Sequence, residues 1–250
     1  MAAVIYMFHA IGELESDDWA DPHYSFSREK FIEFLNKAKS VKSIKQAQSK
    51  NSKHGCIMTF DDGHISNYWA GKYIAENGYG SADFFINPAK VGLPYYMSWQ
   101  QIKALADLGM SIQSHGLDHS FLSDLDDDEL CYQLSESKKI IEAHVDQRVT
   151  ILAPPGGRYD KRTVSKARDL GYQIMSISRP GRVKDINDFL QPRIAVMKKS
   201  SVDQLLANRN RLNHKIIIQK VKYSSLKLGK RVIGNERYEK LRWFILGGGK

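Results

Sequence analysis

The sequence predicts an α/β protein in which parallel strands are covered by helices, as a barrel or a doubly wound sheet. Three observations carry this expectation. Short apolar runs alternate with helical patterns from the first residues to about residue 200. Within the helical patterns apolar residues recur at i, i+3 and i+4, as in Ile102, Leu105 and Ala106, or Leu130, Leu134 and Ile141. Gly78, Gly109 and Gly171 stand where helix C-caps belong, each just before the next strand-like run.

In order, "AAVIYMF" reads as a first strand, beginning almost at residue 1, and "REKFIEFLNKAKSV" as a helix. "CIMTF" is the next strand, "YWAGKYIAENG" the next helix, and "SADFFI" the strand after it. "SWQQIKALADLG" (helix), "MSIQS" (strand) and "DELCYQLSESKKIIEAHV" (helix) follow, the last opened by "SDLDDDEL" as an N-cap with an acidic first turn. "VTILAPP", the helix "KRTVSKARDLG" and the strand "YQIMSIS" complete the rhythm. No internal repeat or low-complexity segment interrupts it.

At 250 residues, with 42% hydrophobic and 26% charged residues, the chain can bury one large core and is not generally disordered. No run approaches 18 apolar residues, so no membrane-spanning helix is expected. The start lacks the basic n-region and cleavage site of a signal peptide. Two cysteines, Cys56 and Cys131, supply neither a disulfide framework nor a C-x-x-C metal site. The expected location is cytoplasmic, or peripheral on the inner membrane face.

The net charge of +9 is unevenly spread. From Arg193 onward there are 15 Lys/Arg against 3 Asp/Glu, whereas the first 192 residues hold 22 against 25. Residues 1–200 are therefore read as the catalytic domain and 201–250 as a basic helical extension. Leu205, Leu206, Ile216, Ile217, Val221, Leu226, Leu241, Trp243, Phe244 and Ile245 can form its apolar face. Two readings of the extension stay open: an appendage packed on the domain, and an amphipathic element on an anionic membrane surface. Nucleic acid is not expected as a partner, because no recognised motif accompanies the charge. The final "GGGK" lacks the Ser/Thr and the downstream helix of a phosphate loop.

Chemistry concentrates at strand ends. "CIMTF" runs into Asp61 and Asp62, and adjacent carboxylates at a strand mouth are costly without compensation. "MSIQS" runs into His115, with His119 four residues later, a spacing that lets two imidazoles reach one ion. Asp62 with His115 and His119 makes a His₂Asp set suited to zinc with one open position. Such an ion neutralises Asp62 and leaves Asp61 as a base towards water. In folds of this kind the strand C-termini are where chemistry collects.

"TFDDG", "SHGLDH" and "APPGGRYD", in this order and spacing, resemble the first three motifs of the polysaccharide deacetylases, the NodB-like group also called carbohydrate esterase family 4. The resemblance covers residues 4 to about 197. It implies a distorted (β/α) barrel that removes acetyl groups from N-acetylated sugars with one divalent metal, zinc in the first place. Carried over by motif, Asp62, His115 and His119 bind the metal, Asp61 is the general base, and the backbone N–H at Gly156 is the oxyanion donor. Two departures stand out. The third motif usually opens with an arginine that orients the base, and here that position is Ala153. The late L-x-H that delivers a catalytic acid is missing, since His144 and His214 sit in other settings.

"VIYMFHAIG" ends a strand in His9 and resembles the start of exopolysaccharide deacetylases related to the poly-N-acetylglucosamine enzymes. That branch implies a seven-stranded barrel in permuted chain order, with His9 as general acid. "LQPRIAV" resembles its closing strand, and Arg193 there can orient Asp61 in place of Ala153; equally, it can be a packing or surface residue. His64 beside the acidic pair, and Tyr95, Tyr96, Trp99 and Tyr159, are candidates to touch sugar or simply to pack. The expected activity is deacetylation of an N-acetylated glycan in exopolysaccharide metabolism. A metal amidase on a small amide and a non-catalytic glycan- or membrane-binding scaffold remain as alternatives.

Overall fold

The computed structural model describes residues 3–49 and 55–210. The first run forms β1 (Val4–Phe8), followed by α1 (Arg28–Ala38), the two-residue β2 (Val41–Lys42) and the short α2 (Ile44–Ala47). Next come β3 (Cys56–Phe60), α3 (Ser66–Glu76), β4 (Asp83–Ile86), α4 (Trp99–Asp107) and β5 (Ser111–Ser114). The order is completed by α5 (Asp127–His144), β6 (Ile151–Leu152), α6 (Lys161–Asp169), β7 (Ile174–Ile177), β8 (Leu190–Ala195) and α7 (Val202–Ala207).

Every ladder is parallel, in the order β1-β8-β7-β6-β5-β4-β3-β2, and β1 also pairs with β3. That last pairing closes a seven-stranded barrel and leaves β2 outside it on β3. Of the two architectures the alternation allows, closure selects the barrel. The N-terminal strand lies between β8 and β3, so the permuted order is the observed one. β2 and α2, two and four residues long, escaped the sequence reading because neither is long enough to show a period.

Strand parity sorts the side chains. On β1, Tyr6 and Phe8 face α1: Tyr6 meets Phe34 edge-on at 5.0 Å, and Phe8 meets Phe31 at 5.7 Å and Phe34 at 5.9 Å. Each such ring contributes about 1.5–3 kcal/mol by leaving water. Ile5 takes the other face and joins Ile57, Phe85, Ile151, Ala153 and Ile174 in the barrel core. Continuing the inward parity past the strand ends brings His9 and Asp61 to the same rim. They are neighbours there, because Phe8 pairs with Phe60 and the Asp61 N–H donates to the Phe8 carbonyl at 2.9 Å.

The helices start where the sequence provides caps. Ser98 and Gln101 form a capping box on α4, Asp160 and Thr163 one on α6, and Asp126 accepts from Asp128 and Glu129 N–H at the start of α5. Gly78, Gly109 and Gly171 close their helices with φ of 68°, 83° and 81°. α7 packs by burying Val202 and Leu205, and the Tyr6 hydroxyl donates to the Leu205 carbonyl at 2.9 Å. Residues 211–250, most of the expected basic extension, lie outside the described residues. Among those described, no helix is long and apolar enough to cross a membrane.

Asp83 on β4 is fully buried and accepts the Ile44 N–H at 2.7 Å, which caps α2. Burial raises its pKa to about 7, against the pull of that hydrogen bond. The folded protein therefore holds a proton on Asp83 between about pH 4 and 7 that the unfolded chain has released. Stability falls as pH rises through this window. Asp83→Asn keeps the acceptor and removes the ionisation. The variant is expected to lose that pH dependence and to exceed the wild type at pH 8 by up to about 4 kcal/mol in urea denaturation. A wild-type stability that stays level from pH 5 to pH 8 would contradict this.

Candidate active site

The turn after β3 presents Asp62 in the left-handed region, at φ 71°, and the turn after β5 presents His119 at φ 73°. Only four non-glycine residues among those described have positive φ, so two of them fall on the candidate metal ligands. Such conformations cost about 1–3 kcal/mol each and gather at functional sites. They bring Asp62 Oδ1 to 3.1 Å from His115 Nε2 and 3.3 Å from His119 Nε2. The three ligand atoms lie within 4.8 Å of one another. A tetrahedral ion about 2.0–2.1 Å from each ligand requires ligand atoms about 3.3 Å apart, which both Asp62–imidazole separations match.

His115 is buried, and its Nδ1–H donates to the Ala153 carbonyl at 2.7 Å, which leaves the Nε2 lone pair facing the ion position. Position 153, where an arginine was expected from the resemblance, thus contributes its backbone. Burial alone would raise the Asp62 carboxyl. The adjoining His115 and His119 imidazoles outweigh it and hold the group well below the usual carboxylate range.

Arg193, on β8, is fully buried and runs up the barrel to Asp61. Its Nη1 and Nη2 donate to the two Asp61 oxygens at 2.5 and 2.8 Å, and Nη1 also reaches Thr59 Oγ1 at 3.2 Å. The guanidinium lies 5.3 Å from the centre of the Phe85 ring. Burial pushes the Asp61 carboxyl up, but the Arg193 charge, His115 and the Arg193 hydrogen bonds bring it below its ordinary value. Asp61 is therefore an ionised, rigidly held carboxylate. The sequence left Arg193 open between Asp61 and a packing or surface place; the structure places its guanidinium on Asp61.

His9 sits at the rim beside Asp61, with its ring against Tyr24 at 4.7 Å and a buried Nδ1 that has no hydrogen-bond partner. Burial lowers its pKa, and the charges of Asp62 and Asp61 oppose that. Its backbone is fixed by Asn67, whose Nδ2 donates to the His9 carbonyl at 2.6 Å. Asn87 treats His115 in the same way, at 2.5 Å. Neither asparagine was singled out from the sequence. Asn87 follows the run "DFFI" directly, so the rule that polar residues at strand ends serve the site would have found it.

The third motif forms a tight turn, with Gly157 N–H donating to Pro154 and Arg158 N–H to Pro155. Gly156 sits in it at φ 58°, where a Cβ would come within 2.8 Å of Phe121. Phe121 packs between His119 and the Arg158 guanidinium, at 6.4 and 4.2 Å. The turn is thereby locked to the loop that carries His119.

The remaining candidates divide. His64 is buried with both ring nitrogens engaged, Nε2 by Asp18 at 2.9 Å and Nδ1 by Ser66 Oγ at 2.7 Å, so a direct sugar contact is excluded. Trp99 stacks on His144 at 3.9 Å, joining α4 to α5. Tyr96 stacks on Trp19, and the Tyr95 hydroxyl donates to Asp17. Tyr159 is half-buried.

A family model described as polysaccharide deacetylase matches residues 48–175. The curated Bacillus subtilis protein YxkH is 33% identical over 141 residues, covering 56% of this chain and 50% of its own length. The chain thus spans about half the length of the curated relative it matches. Among solved structures, the Streptococcus pyogenes deacetylase PplD in complex with acetate aligns with a TM-score of 0.75 at 24% identity, covering 84% of this chain and 99% of that one. A Bacillus cereus polysaccharide deacetylase, BC0361, aligns at 0.75 and 20% identity, over 84% and 69%. IcaB from Ammonifex degensii aligns at 0.69 and 20% identity, over 82% and 96%. At these identities the structural likeness is one of fold.

Proposed function

Because the chain belongs to the polysaccharide deacetylase family, we propose that it hydrolyses N-acetyl groups of an N-acetylated glycan, using one divalent ion held by Asp62, His115 and His119. The observation that carries this reading is Asp61, a buried carboxylate kept ionised by Arg193 directly beside the ligand set. Zinc suits two imidazoles and a carboxylate with one position open. When bound, such an ion polarises the amide carbonyl and makes water acidic enough to attack near neutral pH.

The chain's own residues supply the proton transfers. Asp61 takes the proton of the attacking water, and Arg193 fixes the carboxylate so that its oxygens cannot rotate away. His9, across the ladder from Asp61, donates a proton to the amine nitrogen as the C–N bond breaks, from the imidazolium that the charges of Asp62 and Asp61 favour against burial. The Gly156 N–H donates to the carbonyl oxygen as charge builds on it. The scaffold alternative drew on Ala153 and on the missing late histidine; the Arg193–Asp61 pair and the buried His9 at the same rim support the catalytic reading over it.

The proposed setting is exopolysaccharide metabolism, supported by the resemblance of the first and last barrel strands to that branch. The proposed membrane partner is an anionic surface met by the basic segment 201–250, which would hold the protein at the inner membrane face. The test is acetate release from N-acetylglucosamine oligomers and from small acetamides. Faster release from the oligomers supports the glycan reading. Preference for the small acetamides assigns the chain to small-amide hydrolysis instead.

A further inference from the structure

Residues 11–26 form a closed Ω-loop between β1 and α1. Its ends are joined by a bridge between Ile11 and Phe26, with Gly12 N–H donating to the Phe26 carbonyl at 2.8 Å and Phe26 N–H to the Ala10 carbonyl at 3.0 Å. Three consecutive residues at its tip are tied down. Asp17 accepts from the Tyr95 hydroxyl, Asp18 pairs with His64 Nε2 at 2.9 Å, and Trp19 stacks on Tyr96 at 4.3 Å with 11° between the planes. The Trp19 ring also meets the His64 ring at 5.6 Å.

Of these anchors His64 follows Asp61 and Asp62 directly in the chain, and Tyr95 and Tyr96 are paired to that same segment, with Ile65 N–H donating to the Tyr95 carbonyl at 2.8 Å. His64 bridges to Tyr96, and Met97 N–H donates to the Gly63 carbonyl at 3.0 Å. At the loop's other side Tyr24 lies against His9. The loop therefore reaches from the acid to the ligand side of the site.

With one face covered by Tyr96, Trp19 is still 39% exposed. Hydrophobic burial favours tucking an indole inward; this one is clamped outward. A rigid apolar plane beside a hydrolytic centre binds without paying to order itself. Resting on the deacetylase reading above, we propose that Trp19, backed by Tyr96, is the platform for the pyranose ring next to the sugar that loses its acetyl group. The electron-rich indole face meets the flat C–H face of a pyranose. The charged residues of the loop are Glu13, Glu15, Asp17, Asp18 and Asp21, with no Lys or Arg, so the ring is a neutral or amino sugar and not a uronic acid.

The experiment compares kcat/KM on the monomer and the tetramer of N-acetylglucosamine for wild type, Trp19→Ala and Trp19→Phe. The tetramer-to-monomer ratio is expected to fall roughly five- to tenfold in Trp19→Ala and to be largely kept in Trp19→Phe. A loop clamp without a sugar contact lowers both substrates by one factor, and an unchanged ratio overturns the platform. If the wild type turns over neither substrate, the deacetylase reading fails by itself. Calorimetric binding of the tetramer then decides the platform: weaker binding by Trp19→Ala upholds it and equal binding removes it.

Discussion

Asp61→Asn is expected to lower kcat for acetate release by about 10²–10⁴-fold while the protein still binds its ion. Asparagine has the shape of aspartate and can still accept from Arg193 through Oδ1, but it cannot take a proton. Asp62, His115 and His119 are untouched, so metal content is unaffected. Arg193 is left as a buried cation without its counter-charge, and stability drops by a few kcal/mol. Assays below the denaturation midpoint, with metal content measured on the same sample, separate these effects. An unchanged kcat would take the base role from Asp61, and loss of the ion would move it into the ligand set.

Arg193→Met is expected to have the largest effect on stability, a loss of about 3–5 kcal/mol in urea denaturation near neutral pH. Arg193 and Asp61 are both buried, and the two parallel hydrogen bonds between them offset the desolvation of both charges. Methionine fills much of the space but leaves the Asp61 carboxyl without its counter-charge and hydrogen bonds, facing the apolar core around Phe85. The variant should also turn over poorly, because Asp61 is then neither fixed nor held ionised. Removing both charges in Asp61→Asn/Arg193→Met should restore part of the stability and none of the activity. If the double variant is as unstable as the single one, the loss comes from packing and the ion-pair argument fails.

The candidate site was legible in sequence where its chemistry is local. Asp61 and Asp62 adjoin one strand, His115 and His119 share one loop, and the glycines of the third motif announce a tight turn. The barrel was legible as alternation, with closure implied only by the motifs. Arg193 marks the boundary of what a sequence can say. A lone arginine in "LQPRIAV" is ambiguous until β1 closes between β8 and β3 and brings it to a carboxylate 132 positions away. The Ω-loop was not seen at all, for the same physical reason. Asp18 and His64 are 46 residues apart and Tyr95 and Asp17 are 78 apart, and no periodicity connects such pairs. His64 was read as a sugar-facing candidate from its neighbours in sequence, whereas the fold spends both its nitrogens on the loop clamp.

The central claim is that Asp62, His115 and His119 hold one ion at a site where Asp61 and His9 hydrolyse an acetamide. Its most direct test strips the protein with chelator and titrates zinc back while acetate release from N-acetylglucosamine oligomers and bound metal are read together. The account predicts release that rises from baseline and saturates at one ion per chain. An ion that binds at that stoichiometry with no release, or release that persists after stripping, would contradict it.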